Sequence, residues 1–316
     1  MKITIAAVAA FAAAAAAAAV PNTKNLKMIR QAMPAITDAD ILNYALTLEH
    51  LEDKFYREGL ANFTEAQFAT AGFDATFYTT LKEVSSDETT HVSFLTAALT
   101  KAGATPVAEC TYDFGALTPE TFIATASILE GVGVSAYLGA AADIMSAAYL
   151  TAAGSILTVE SRHSSYIRAS LGESPFPTPF DTPLSLNEVY TLAAPFIVSC
   201  PSTNPTLPVK AFPTLTSAPT NGNITVGSTI TLLTPGSVVT AADGKSPIYA
   251  AFITVTGPVF APATATTGGF TVTVPTAPKG SAPISGQTYV VLTGCNTTVT
   301  DDTVAAGPAV LEVGPL

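Results

Sequence analysis

Two Glu-x-x-His pairs, Glu88-Thr-Thr-His91 and Glu160-Ser-Arg-His163, are the residues of this chain best suited to chemistry. Glutamate and histidine three positions apart on a helix project from adjacent turns of one face, so one helix brings a carboxylate and an imidazole to the same point. Each pair follows a lone glutamate with a tyrosine seven residues on: Glu49 with Tyr56, then Glu130 with Tyr137. All four stretches lie in apolar patterns of helical period, which turns the carboxylates inward. Buried glutamates without partners cost several kcal/mol or take up protons, and no lysine or arginine shares these stripes. Two divalent cations would neutralise four carboxylates and accept two neutral imidazoles. The pattern therefore predicts a dinuclear metal centre, and its oxygen and imidazole donors suit iron or manganese. Glu52 is the rival to Glu49 on the first stripe. Tyr56 and Tyr137 are expected behind the ligands, as hydrogen-bond donors to the carboxylates. His50 projects roughly 100° from the Glu49 stripe and is read as a surface or supporting residue.

Four long helices must position these groups. The first is expected to start at Asp38 or Asp40, either of which can cap it, and to run to about Gly59. Thr64-Glu-Ala-Gln67 opens a short helical segment through a capping box. The second long helix carries Phe77, Leu81, Val84, Glu88, His91, Leu95 and Leu99 on one face and stops at Lys101-Ala-Gly103. Thr118-Pro-Glu starts the third, with Ile123, Ala126, Glu130, Val134, Tyr137 and Ala141 in line. Its Gly131, Gly133 and Gly139 suggest close contact with a neighbouring helix. The fourth follows a short connection near Ala142-Asp143, carries Ile156, Glu160, His163 and Ile167, and ends around Leu171-Gly172. A further helix begins at the capping box Ser185-Leu-Asn-Glu188. The arrangement of Glu, then Tyr, then Glu-x-x-His occurs twice, which predicts two helix pairs related by a pseudo-twofold axis.

These motifs carry a family resemblance. Asn43-Tyr-Ala-Leu-Thr-Leu-Glu-His-Leu-Glu52, Asp87-Glu-Thr-Thr-His91, Leu129-Glu-Gly-Val-Gly-Val-Ser-Ala-Tyr-Leu138 and Val159-Glu-Ser-Arg-His163 resemble the secreted ferritin-like domain family of fungal late-sexual-development and stress-response proteins and plant desiccation-related proteins. The resemblance implies a ferritin-like four-helix bundle with the carboxylate and histidine ligand set of a metal pair. Ferritin-like proteins place a tyrosine seven residues after the first ligand glutamate, which favours Glu49 over Glu52. The second histidine makes the pattern more similar to bacterioferritins, rubrerythrins and manganese catalases than to storage ferritins. The chain departs from rubrerythrin in lacking Cys-x-x-Cys pairs, and from cage ferritins in its long C-terminal extension.

The full chain has 316 residues, a net charge of −11, three histidines, three cysteines and no tryptophan. The acidic balance argues against nucleic acid as a partner. Met1-Lys2 followed by an alanine-rich run through Val20 reads as a secretory signal peptide, leaving no membrane segment after cleavage and an extracellular mature protein. An oxidising compartment would allow one disulfide. Cys110 with Cys200 is favoured because both flank the helical region, with a bridge to Cys295 still open. Asn62, Asn223 and Asn296 head N-glycosylation motifs.

From Asn204 the composition turns to Thr, Val, Pro, Gly and Ser. The runs Ile224–Leu233, Ile248–Thr256, Phe270–Val274, Thr288–Leu292 and Ala309–Val313 read as strands of a small immunoglobulin-like β-sandwich. The expected architecture is thus α+β and multidomain: signal peptide 1–20, ferritin-like bundle with an extra C-terminal helix 21–203, and β module 204–316. The expected function is a secreted two-metal enzyme acting on a small oxidant, peroxide or dioxygen, in oxidative stress or development. It would be catalase- or peroxidase-like, or an iron(II) oxidase. The alternative is a non-catalytic protective surface protein, and the β module leaves cell-wall association or a homodimer open.

Overall fold

The computed structural model of the chain describes residues 36–219, 222–241, 244 and 246–314. The proposed signal peptide lies outside these residues. Helix α1 spans Asp38–Asn62. Its cap is Thr37, not either expected aspartate: the Thr37 hydroxyl accepts from the Asp40 N–H, and the Asp40 carboxylate accepts from the Thr37 N–H at 2.9 Å. Asp38 instead reaches across the fold, accepting from the backbone N–H groups of Met145 at 2.7 Å and Ser146 at 3.0 Å.

The short α2, Glu65–Thr70, has the expected Thr64/Gln67 capping box. Helix α3, Ala75–Lys101, is capped by Asp74 and stopped by Gly103, whose φ of +74° suits glycine. Helix α4, Pro119–Ala140, starts at Thr118. A single 3-10 turn at Ala141–Asp143 leads to α5, Ala147–Ser170, capped by Ser146. Helix α6, Leu186–Ala193, opens on the Ser185/Glu188 box. Within the bundle α1 packs chiefly against α3, and α4 against α5. An aromatic cluster fills one end of this core, with the Phe55 and Phe122 rings stacked 4.5 Å apart.

A disulfide joins Cys110 to Cys200 as favoured, beside the two-stranded ribbon of β1 (Thr111–Tyr112) and β2 (Ile197–Ser199), and Cys295 carries a free thiol. The C-terminal region forms two antiparallel four-stranded sheets. One has the order β10 (Val304–Val313), β9 (Gly286–Thr293), β5 (Tyr249–Phe252), β6 (Val259–Pro262). The other runs β3 (Thr216–Ser217), β4 (Thr229–Leu233), β8 (Gly269–Thr273), β7 (Thr264–Thr266). Ile230, Leu232, Phe270 and Val272 from the second sheet share one core with Phe252, Val290, Leu292 and Leu311 from the first.

The described residues from Thr37 onward form one compact unit. Arg168 near the end of α5 is buried and donates to both carboxylate oxygens of Glu312 on β10, at 2.9 and 2.7 Å. The Tyr289 hydroxyl on β9 donates to the Gly131 carbonyl and accepts from Ser135, both at 2.9 Å. The glycines of α4 do sit at close approaches, but not against another helix backbone. Gly131 faces the Gln287 side chain, Gly139 faces the backbone of Leu184, and Gly133 faces two carboxylates. Their small size is needed to dock the following segments and to admit acidic groups.

Candidate metal centre

The four helices bring all six expected ligands into the bundle interior. Glu49, Glu88, Glu130 and Glu160 are at most 1% exposed, and His91 and His163 are 8% and 6% exposed. They form two overlapping groups: Glu49, Glu88, His91 and Glu160, then Glu88, Glu130, Glu160 and His163. Within each group the donor atoms lie within 4.8 Å of one another. Glu88 and Glu160 belong to both, so their carboxylates stand between the two positions while Glu49 and Glu130 serve one each.

The donor atoms crowd together: His91 Nδ1 is shared between Glu49 Oε2 and Glu88 Oε2, each 3.2 Å away, and most of the others have no hydrogen-bond partner. His163 Nδ1 lies 3.0 Å from Glu88 Oε1 and 3.4 Å from Glu130 Oε2, and His91 Nδ1 lies 3.2 Å from Glu160 Oε1. Yet Glu88 Oε1, Glu130 Oε2, both Glu160 oxygens and His163 Nδ1 are buried and make no hydrogen bond. Buried polar atoms in folded proteins are nearly always satisfied. Lone pairs converging on shared points, with no proton aligned between them, are the arrangement that bound cations would satisfy. The residues present fit a metal pair.

Protonation follows the same crowding. Burial pushes Glu88 up to about 7, although His163 and His91 pull the other way. Burial and then the facing Glu88 carboxylate raise Glu160 well above the usual carboxylate range. For His163, burial alone would lower the imidazole, but Glu130 and Glu88 outweigh it and hold it up at about 11. His91 moves the same way, because Glu160, Glu49 and Glu88 outweigh its burial. Without cations, then, the cluster recruits protons to balance its charge.

The two tyrosines reach the carboxylates crosswise. Tyr56 of α1 donates to Glu130 of α4, and Tyr137 of α4 donates to Glu49 of α1. Burial, and then the facing carboxylate, push both phenols well up, so they stay protonated donors. Glu52 enters neither ligand group, yet it is 5% exposed and close to them. Burial and the charge on Glu160 raise its carboxyl well above the ordinary value. His50 stays outside, half-buried, with Nε2 3.2 Å from the Val107 carbonyl.

One contributor was not expected. Asp87 Oδ2 lies 3.1 Å from His163 Nε2, on the side of the ring away from the cluster. Its signal was only a carboxylate directly before Glu88, and nothing along the chain says which histidine it reaches. Asn62, Asn223 and Asn296 are all exposed.

Comparison with known proteins agrees with this geometry. Residues 37–173 match the family described as ferritin-like domain. The helical region is a ferritin-like domain. A β-sheet-rich C-terminal region follows it. The chain is also 27% identical to the protein rds1 of Schizosaccharomyces pombe over 328 aligned positions, covering 88% of this chain and 81% of that protein. The likeness to rds1 thus extends beyond the ferritin-like segment.

Proposed function

We propose that this protein is a secreted two-metal protein of iron or manganese that acts on peroxide or dioxygen, in oxidative stress or development. One observation carries the reading: two overlapping groups of buried donors share Glu88 and Glu160, and several of their atoms converge without hydrogen bonds. Glu49 and His91 would hold one ion, Glu130 and His163 the other, and Glu88 and Glu160 both. Such a pair supplies two-electron exchange with a small oxidant. The protein's own part is to orient and to shield. Tyr56 and Tyr137 fix the two single-site carboxylates, Asp87 fixes the His163 ring, and the apolar clusters at each end keep bulk water from the donors.

Secretion is supported by the disulfide, by the three exposed glycosylation motifs and by the apolar N-terminal run. We read the C-terminal module as an immunoglobulin-like sandwich. Its strand order, with β3-β4-β8-β7 facing β10-β9-β5-β6, corresponds to the A-B-E-D and G-F-C-C′ sheets of that architecture. The test of the functional reading is metal analysis of protein purified without added metal, together with oxygen evolution from hydrogen peroxide and oxidation of iron(II). Two ions per chain and turnover in either assay are expected. A folded protein free of metal and inactive in both would favour a protective, non-catalytic surface protein instead.

A further inference from the structure

The segment between α5 and α6 alternates proline with other residues: Pro175, Phe176, Pro177, Thr178, Pro179, Phe180. Proline fixes its own φ and restricts the residue before it, so the stretch has a preset course. It is also pinned at three points. Arg168 Nε donates to the Ser174 carbonyl at 2.9 Å, and the Thr178 hydroxyl donates to the Phe180 carbonyl at 2.6 Å. Pro177 packs so tightly on β9 that a Cβ on Gly286 would lie 2.3 Å from its ring. Yet this rigid segment leaves Phe176 78% exposed and Phe180 54% exposed. Two uncovered rings held on a fixed backbone mark a binding surface.

Both rings border a pocket of about 280 Å³ between α4, α5, this segment and the β module. Its other walls carry hydrogen-bonding groups, among them Ser164 and Ser165 of α5, Asp181 and Gln287. The Gln287 amide is held in place, with Nε2 donating to the Ile128 carbonyl at 3.0 Å and to the Tyr289 hydroxyl at 2.9 Å. Its Oε1 is thus a fixed acceptor. Among the described residues, the Asp181 carboxylate has neither an ion pair nor a hydrogen bond, and the Ser164 and Ser165 hydroxyls have no partner. Arg168 also lines the pocket, but Glu312 and Glu173 engage its charge. An anionic ligand would therefore meet the free carboxylate of Asp181 with no free cation beside it. A sugar matches every feature. Its C–H face lies on a phenyl ring, whose face is negative. Its hydroxyls donate to Asp181 and Gln287 and accept from the serines. A proline-rich peptide could use the rings, but it has few N–H groups to offer the two acceptors.

We propose that this pocket is a carbohydrate site that takes a neutral sugar unit of an oligosaccharide, with Phe176 and Phe180 as stacking platforms and Asp181 and Gln287 as acceptors. The site is separate from the metal centre and stands whether or not the metals turn over. Calorimetric titration of the full chain tests it, using hexasaccharides of β-1,3-linked glucose, β-1,4-linked glucose, β-1,4-linked N-acetylglucosamine and α-linked mannose as probes. At least one should bind. Phe176→Ala, Phe180→Ala and Asp181→Ala should each weaken that binding about tenfold. Asp181→Asn, which keeps an acceptor oxygen, should recover part of the loss. Melting temperature and metal content should be unchanged in all four variants, since these side chains are exposed and lie outside the ligand cluster. Absence of binding by all four sugars, binding that survives removal of both rings, or tighter binding of a proline decamer at the same site would overturn the proposal.

Discussion

The helix pair α1/α3 and the helix pair α4/α5 carry the same groups at the same spacings, and two of the differences beside those groups set the pairs apart. Glu49, Tyr56, Glu88 and His91 in the first pair correspond to Glu130, Tyr137, Glu160 and His163 in the second. Three residues after the lone glutamate, however, the first pair has Glu52 and the second has Gly133. One residue before the Glu-x-x-His pair, the first has Asp87 and the second has Val159. Both differences act across the bundle. Glu52 occupies space that Gly133 leaves open, and Asp87 supports the imidazole of the opposite pair. The near-repeat builds the buried cluster, and its departures make the two overlapping donor groups unequal.

The comparison is most severely tested at the shared ligands. Glu88→Ala or Glu160→Ala should abolish binding of both ions, whereas Glu49→Ala or Glu130→Ala should cost only the ion on its own side. Metal analysis after dialysis separates the two outcomes. Equal losses from all four variants would break the assignment of shared and single-site carboxylates.

Proton linkage gives the next largest effect. The unfolded chain releases the Glu88 proton near its ordinary value of 4.5, while the fold holds it up to about 7. Stability of the metal-free protein therefore falls as pH rises through that window. His163 continues the trend, because its proton is lost near 6.5 when unfolded but kept up to about 11 in the fold. Bound cations replace these protons. The melting temperature of metal-free protein should decline from pH 5 to 9, and the increment on adding metal should grow over the same range.

A finer test concerns the two histidines. Asp87→Asn should weaken one of the two ions by about 10–100-fold, the usual cost of losing such a support, and leave the other in place. Titration of metal-free protein would then resolve two steps further apart than in the wild type. Weakening of both ions alike would show that the pairs are equivalent after all. The smallest effect is expected from the feature that the pairs share. Tyr56→Phe and Tyr137→Phe should each cost about 1–3 kcal/mol, by leaving a buried carboxylate oxygen without its donor. Thermal melts of the two variants should nearly coincide.

How much of this was legible along the chain depended on whether the information was local. Helix starts at Thr64 and Ser185 could be read because the cap and its partner are three residues apart, and the start at Thr118 because a proline follows the cap directly. The buried cluster of carboxylates and imidazoles could be read because an i, i+3 pair on an apolar stripe points one way whatever it packs against. The start of α1 near Asp38 could be read, but its cap could not, because Thr37 and Asp38 both offer an acceptor and Asp38 is occupied by a loop more than 100 residues away. Among the strands, β7 at Thr264–Thr266 is exposed throughout and lacks the alternation that marks β4. The partners of Asp87 and Gly133 lie on other helices, so no spacing within their own helices discloses them.

The Arg168–Glu312 contact bears on how the chain ends matter to its centre. Arg168 sits five residues beyond His163, and its guanidinium is answered by a carboxylate on the last strand. Loss of that strand would leave the buried Arg168, on the helix that holds Glu160 and His163, with only Glu173 at 3.4 Å and the Ser174 carbonyl at 2.9 Å as partners. Strand β10 is thus a latch on the helix that carries half of the buried carboxylate and histidine cluster.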